Sequence, residues 1–289
     1  MSIQVTTQTI QSEFDQLGYY YPLDALPKAR AEDYGWRLAA LSASERAPAL
    51  GYRGQLNHLH VVCPYVNEMI RNPVVLDAVA SILGPDILVW GVSLFLKPPH
   101  SAGYVSWHQD LTYWGLSNDR EVSAWFALGA VTKENGCMRF IPASHKNGQI
   151  KHRDTVNDSN ILTRGQHADI DIDEASAVYA ELDAGQVSLH HGHLLHASGP
   201  NDTEQPRIGL VANYLSTSVR QSVAKTDFAM LVRGEDRFNH FQHLPEPKAE
   251  FDEAGMSWHR KMIAAHNEAL YQGAENRDSA PEIESAGSI

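Results

Sequence analysis

His108-Gln109-Asp110, together with a distant run of histidines ending at His196 and an arginine beyond it, Arg207, are the residues best suited to act together chemically. Two imidazoles and one carboxylate form the set that holds non-haem Fe(II) on one face and leaves the other open for oxygen and a co-substrate. On an extended segment His-x-Asp presents both side chains to the same side, because side chains repeat every two residues. The second imidazole must then arrive from another strand. His190, His191, His193 and His196 compete for that place, and spacing alone leaves the choice open. Arg207 enters an otherwise apolar run, where an inward guanidinium is costly unless it meets an anion. Its planar fork suits the carboxylate of a dicarboxylate co-substrate, although a buried Asp or Glu would also satisfy it. The turn at residues 197–201 and Pro206 predict a hairpin that sets Arg207 at the depth of His196 on the neighbouring strand.

The elements that must position these groups change character along the chain. Residues 3–17, 32–41 and 74–83 have helical patterning, so segment 1–85 reads as a helical front with one strand at 56–62. From residue 86 the chain turns β-branched and aromatic. Strands are expected at 87–97, 122–131, 137–141, 177–182, 187–191 and 208–215, and the Asn135-Gly136 turn predicts that the second and third form a hairpin. Short strands punctuated by Gly, Pro and Asn point to a jelly roll buttressed by helices, with its core at 86–218. The polar segment 145–174 is long for a loop and reads as a lid over a site. Residues 256–271 read as a C-terminal helix. The small, acidic stretch 273–289 reads as a disordered tail to a single domain spanning 1–272.

Composition narrows the class of partner. A net charge of −12 over 289 residues disfavours nucleic acid and anionic membranes, both of which require a basic face. No run approaches the ~18 apolar residues of a membrane span. The first fifteen residues are polar and acidic where a signal peptide would be basic and then apolar, and Cys63 and Cys137 form no disulfide framework. A cytoplasmic protein with a small-molecule substrate, monomeric or homodimeric, is the expectation.

Three segments carry a resemblance to a known family: Trp107-His-Gln-Asp110, Asn135-Gly-Cys-Met-Arg-Phe-Ile-Pro-Ala-Ser-His145, and His196-Ala-Ser-Gly-Pro-Asn201 with Arg207. In this order they resemble the phytanoyl-CoA dioxygenase family of Fe(II)- and 2-oxoglutarate-dependent oxygenases, from the N-terminal helix to Ser218. The resemblance implies a double-stranded β-helix, the jelly roll already favoured by pattern. It also implies that His196, among the four histidines, completes the ligand set with His108 and Asp110. Ser198 and Arg207 would bind the distal carboxylate of 2-oxoglutarate, with Trp125 and, less directly, Ser93 lining that pocket. Ala143 stands where the family usually has Gly, a departure that touches a turn and not the metal ligands. Halogenating relatives replace the carboxylate ligand with a small residue; Asp110 therefore favours hydroxylation, with O2 consumed and succinate and CO2 released.

Other residues have plainer readings beside the functional ones. Tyr113 and Trp114 follow the triad and are candidates for a substrate pocket or for ordinary packing. His58 and His60 lack further ligands in register and read as pocket-wall or packing histidines, and Arg139 reads either as facing the cavity or as paired on the surface. Lys97, before Pro98-Pro99, reads as a solvated cation at a strand end. The substrate expected is a small polar metabolite such as an amino acid, a phosphonate or a natural-product intermediate. The rivals are an acyl-CoA hydroxylase and a non-catalytic jelly-roll binding protein.

Overall fold

The computed structural model describes residues 6–52, 55–155, 157–162 and 164–270; the expected tail at 273–289 lies outside the described residues. In chain order the elements are α1 (Thr7–Leu17), β1 (Tyr19–Asp24), α2 (Lys28–Ser42), β2 (Gly51–Tyr52), β3 (Gln55–Asn57), α3 (Pro64–Ile70) and α4 (Pro73–Leu83). There follow β4 (Ile87–Lys97), β5 (Val105–His108), β6 (Glu121–Ala127), β7 (Met138–Phe140), β8 (His152–Arg153) and β9 (His167–Ala168). The chain ends with β10 (Val178–Ala180), β11 (Gln186–His190), β12 (His196–Ser198), β13 (Arg207–Ser216), β14 (Phe228–Arg233), β15 (Gln242–His243) and α5 (Glu253–Leu270).

Helix boundaries follow local chemistry. Thr6 caps α1 by accepting a hydrogen bond from Thr9 N at 3.2 Å, and Asn72 caps α4, whose first residue is Pro73. Among the described residues no helix is long and apolar enough to cross a membrane.

Two sheets dominate. The larger runs β1-β11-β6-β13-β4-β14-β15, with β3 and β2 added beside β4; the smaller runs β10-β7-β12-β5. One face of the large sheet carries Val92, Leu94, Ala124, Phe126, Leu210 and Ala212 into the main core, with Val66, Ile70, Val75 and Val79 from α3 and α4. Its opposite face carries Trp125 and Ala127 toward Met138 and Phe140 of the small sheet. Strand alternation thus divides the molecule between a dry, helix-covered face and a face that looks into the sandwich. This is the jelly roll with flanking helices that the sequence predicts.

Three expectations change. The front is less helical than its pattern: Tyr19–Asp24 forms the edge strand of the large sheet beside β11, where Pro22 is tolerated, and Leu59–Val61 is a single 3-10 turn in place of a strand end. The Asn135-Gly136 turn does not close a hairpin. It carries the chain from β6 in the large sheet to β7 in the small one, held by Thr132 N donating to Asn135 Oδ1 (2.8 Å) and Asn135 Nδ2 donating to the Ala130 carbonyl (2.9 Å). Similarly, β12 and β13 do not pair, so His196 and Arg207 stand on different sheets. In both places turn chemistry specifies a reversal but leaves open which sheet receives the next strand.

Candidate metal centre and its cavity

His108 ends β5 and His196 begins β12, and the two residues are direct cross-strand partners in the small sheet. Asp110 opens the 3-10 turn Asp110–Tyr113 after an extended Gln109 (φ −121°, ψ 134°), so the two-residue alternation survives past the end of the strand. The three ligand atoms converge. His108 Nε2 lies 3.3 Å and His196 Nε2 3.7 Å from Asp110 Oδ1, and all three atoms are within 4.8 Å of one another. Cis positions around one ion at ordinary metal–nitrogen distances are about 3 Å apart, so a small inward relaxation suffices.

The neighbouring groups fix each ligand. His108 Nδ1 faces the Ser106 carbonyl at 2.9 Å and the His196 carbonyl at 3.1 Å, and His196 Nδ1 faces the Leu194 carbonyl at 2.9 Å. Carbonyls accept, so Nδ1 carries the hydrogen and the Nε2 lone pair is left for a metal. Burial pushes His196 down to about 3, assisted by neighbouring His108, which keeps the imidazole neutral as a ligand must be. Burial alone would raise the Asp110 carboxyl, but His196, His108 and His190 hold it well below the usual range. The far oxygen of Asp110 lies 3.5 Å from His190 Nε2 and accepts from Ser123 Oγ at 3.4 Å. Ser123 in turn accepts from Asn213 Nδ2 at 2.9 Å.

The four histidines of the run separate by direction. His196 faces the cluster and His190 faces the outer oxygen of Asp110, while His191 and His193 each lie 3.8 Å from Asp119. Gln109 points away from the metal side. Its Nε2 donates to the Gly148 and His193 carbonyls at 2.8 and 2.7 Å, and its Oε1 accepts from Ile150 N at 2.7 Å. The middle residue of His-Gln-Asp therefore ties the start of segment 145–174 to the small sheet.

Across the gap, β13 contributes Arg207. Its side chain is buried, makes no hydrogen bond or ion pair with any described residue, and lies over the Trp125 ring at 5.3 Å. Burial lowers it only to about 10, so it remains a cation. Gly209 is needed beside it: a Cβ there would sit 1.8 Å from Trp125 Cζ2, so only glycine lets the indole lie across β13.

Lys97 corrects an expectation. It is wholly buried, not solvated, and its Nζ donates to Ser198 Oγ at 2.7 Å and to the Gly199 carbonyl. It is the cross-strand partner of Arg207. Burial, and then the nearby Arg207, push its ammonium down to about 6. The missed signal was alternation. Counting Gly91, Ser93, Phe95, Lys97 along β4 gives one face, and the first three line the cavity.

Metal ligands, Arg207, Ser198 and Trp125 share one cavity of about 850 Å³ between the sheets. Ser93, His58, Tyr113 and Trp114 are on its wall, as are Leu162 and Gln166 from the expected lid. Arg139 is not. Its neighbour Met138 faces the cavity, so alternation along β7 turns Arg139 outward, where it pairs with Glu174 at 2.8 Å over Trp107. His60 is buried in packing. The sequence reading missed Trp90, Asn213 and the α5 residues Arg260, Ile263, His266 and Asn267, all on the wall.

A sequence profile described as phytanoyl-CoA dioxygenase matches residues 25–209, which contain the whole cluster and Arg207. The chain belongs to the phytanoyl-CoA dioxygenase family. Among curated proteins it is 29% identical over 157 residues to a probable alpha-ketoglutarate-dependent hypophosphite dioxygenase of Stutzerimonas stutzeri, covering 54% of each chain. The chain spans about half the length of the curated relatives it matches. Among solved structures it is similar to the apo form of ThoJ, a non-heme monooxygenase, with 34% identity, a TM-score of 0.81, and coverage of 93% of this chain and 100% of that one. CytC3 with Fe(II) and alpha-ketoglutarate shares the fold at a TM-score of 0.63 and 17% identity, covering 86% of this chain and 96% of that one. The donor set here fits the metal of the family: two imidazoles with Nε2 turned inward and a carboxylate on one face, beside a guanidinium that pairs with no described carboxylate.

Proposed function

We propose that the protein is an Fe(II)- and 2-oxoglutarate-dependent dioxygenase that hydroxylates an aliphatic carbon of a small organic substrate. One observation carries this reading: a buried guanidinium with no anionic partner among the described residues opens into the same cavity as a two-histidine, one-carboxylate cluster. A buried cation left so is costly unless a ligand completes it. Bound with 2-oxoglutarate, Fe(II) supplies the oxidation, in which O2 gives one oxygen atom to succinate, formed with CO2, and the other to a substrate C–H.

The chain's residues bind and orient. His108, Asp110 and His196 would hold the metal, with the Nδ1 hydrogens of the two histidines donated to backbone carbonyls. Arg207 and Ser198 would grip the distal carboxylate of the co-substrate, with Lys97 behind Ser198 adding charge and Trp125 forming a dry wall. A dicarboxylate uses two charged ends, and this end of the cavity offers the Arg207 guanidinium, with Lys97 behind Ser198, at one and the three metal-ligating side chains at the other.

For the substrate, the reading is a small metabolite: an amino acid, a phosphonate or a natural-product intermediate. The hypophosphite named for one relative is far smaller than this cavity. An acyl-CoA finds little support, since the only cations on the wall among the described residues are Arg207 and Arg260. Succinate release from 2-oxoglutarate, dependent on Fe(II) and O2 and absent in Asp110→Ala, tests the reaction. Binding of 2-oxoglutarate without any succinate, across a substrate panel screened for a gain of one oxygen, would leave the non-catalytic binding protein as the better account.

A further inference from the structure

The cavity is larger than its metal end requires. Its volume is near the top of the ~300–1,000 Å³ range of small-molecule sites, and its lining runs from Arg207 to Arg260, Ile263, His266 and Asn267 of α5. A row of cross-strand neighbours, Ser123, Asn213 and Gly91, leads from Asp110 to this distal end. There the strands depart from regularity. Val89 and Gly91 face Tyr214 and Asn213, leaving Trp90 as the extra residue of a bulge. Bulges beside active sites re-aim a side chain, and Trp90 is turned against Trp114 and His266, with ring centroids at 5.1 and 4.0 Å. Gly91 forms the floor. A Cβ there would sit 3.1 Å from Asn213 Oδ1 and 3.9 Å from ring carbons of both His58 and His266. A glycine inside a strand often marks close approach by a ligand.

Behind this wall lies a buried carboxylate, Asp227. It accepts from Trp90 Nε1 at 2.8 Å and Gln221 Nε2 at 2.9 Å, and lies 3.2 Å from His266 Nε2. The contact is not aligned as a hydrogen bond, but a carboxylate beside Nε2 still favours the tautomer with hydrogen there, which leaves Nδ1 as an acceptor. Asn213 spends its Nδ2 on Ser123, so its Oδ1 is also an acceptor. His58, in the left-handed region at φ 55°, has a buried Nδ1 without a partner. The distal wall is therefore aromatic, with Asn213 Oδ1 and His266 Nδ1 as acceptors beside the Trp90 ring, while Arg260 and Asn267 of α5 supply donors elsewhere on the cavity wall.

We propose that this distal end is a subsite for a flat, hydrogen-bond-donating head group of the substrate, a phenol or a heteroaromatic N–H. His266 is its accepting partner, and Asp227 is the residue that positions His266. The inference rests on the dioxygenase reading above and names the substrate class. Holding a donor-bearing ring at α5 would leave the remainder of the molecule to reach toward the metal, so the subsite selects the carbon presented for oxidation.

The test uses the full-length protein loaded with Ni(II), which does not support turnover, and 2-oxoglutarate. Phenol and anisole, which differ in the hydroxyl hydrogen, are titrated as probes by ligand-observed NMR, with ¹⁵N-histidine labelling to follow the His266 ring. Phenol is expected to bind about tenfold more tightly than anisole, with a shift at His266 Nδ1. His266→Phe, which keeps a ring on Trp90, should abolish the preference; His266→Gln should keep part of it, and Asp227→Asn should weaken it. Affinity for 2-oxoglutarate, measured by calorimetry, should be unchanged in all three. Equal binding of the probes, no measurable binding of phenol, or a preference that survives in His266→Phe overturns the proposal, and the ring shift in the unmutated protein decides if a variant fails to fold. Failure of 2-oxoglutarate to bind the Ni(II)-loaded protein would instead strike the dioxygenase reading, leaving the probe preference to report on the subsite alone.

Discussion

The two ends of the cavity are unsatisfied in opposite senses. At the sheet end, Arg207 and Lys97 form no ion pair with any described carboxylate. At the helix end, Asn213 Oδ1 and His266 Nδ1 accept no hydrogen bond from any described residue. A folded protein keeps such costs where a ligand removes them, so the sign of each deficit describes the missing partner. One end lacks an anion, and at the other two acceptors lack N–H or O–H partners. A single small ligand cannot answer both, which is why the cavity reads as a place for two molecules.

Substitutions that affect one end and spare the other test that contrast. Asp110→Ala removes the only charged metal ligand and should weaken Ni(II) or Fe(II) binding well over about a hundredfold by calorimetry, leaving phenol binding within about twofold. Equal loss at both ends would show that the two are one site. Arg207→Met should weaken 2-oxoglutarate by about 30- to 150-fold, the equivalent of roughly 2–3 kcal/mol for a charged hydrogen-bonded pair, without altering metal affinity.

Lys97 sharpens the comparison through pH. Burial, with Arg207 beside it, holds its ammonium at about 6, so near neutrality the free protein carries this side chain largely uncharged. An arriving carboxylate favours the charged form and raises that value, so binding takes up a proton. Affinity for 2-oxoglutarate should therefore fall as pH rises above 6, by at most about tenfold per pH unit, until the pKa of the bound form is passed. Lys97→Met should flatten that slope, and calorimetry in buffers of different ionisation enthalpy counts the proton directly. Arg139→Ala supplies the smallest effect. Its pair with Glu174 is outside the cavity and half in solvent, so both ligand affinities should stay within about twofold and stability should change by at most about 1 kcal/mol. A larger change in either affinity would restore Arg139 to the wall.

How far the sequence speaks depends on how local each feature is. His108 and Asp110 were legible because two-residue alternation fixes their common side within three residues. Arg207 stood out as a charge opening an apolar strand. Lys97 was misread because Pro98-Pro99 made its strand end look solvent-facing, although alternation back to Gly91 already placed it inward. The Asn135-Gly136 turn gave a sound local signal, but sheet membership is decided by packing between the two halves of the sandwich. The distal wall was out of reach for a similar reason. Trp90 meets Asp227 and His266 only after a bulge shifts the register of β4, and no short window of sequence contains that pairing.

The profile match ends at residue 209, whereas Asp227 and all of α5 lie beyond it. The cluster and Arg207 thus lie inside the matched stretch, whereas His266 and its partner Asp227 are added to the cavity wall from outside it. A lineage, or an engineer, can rewrite the closing helix and reshape that wall without touching His108, Asp110, His196 or Arg207.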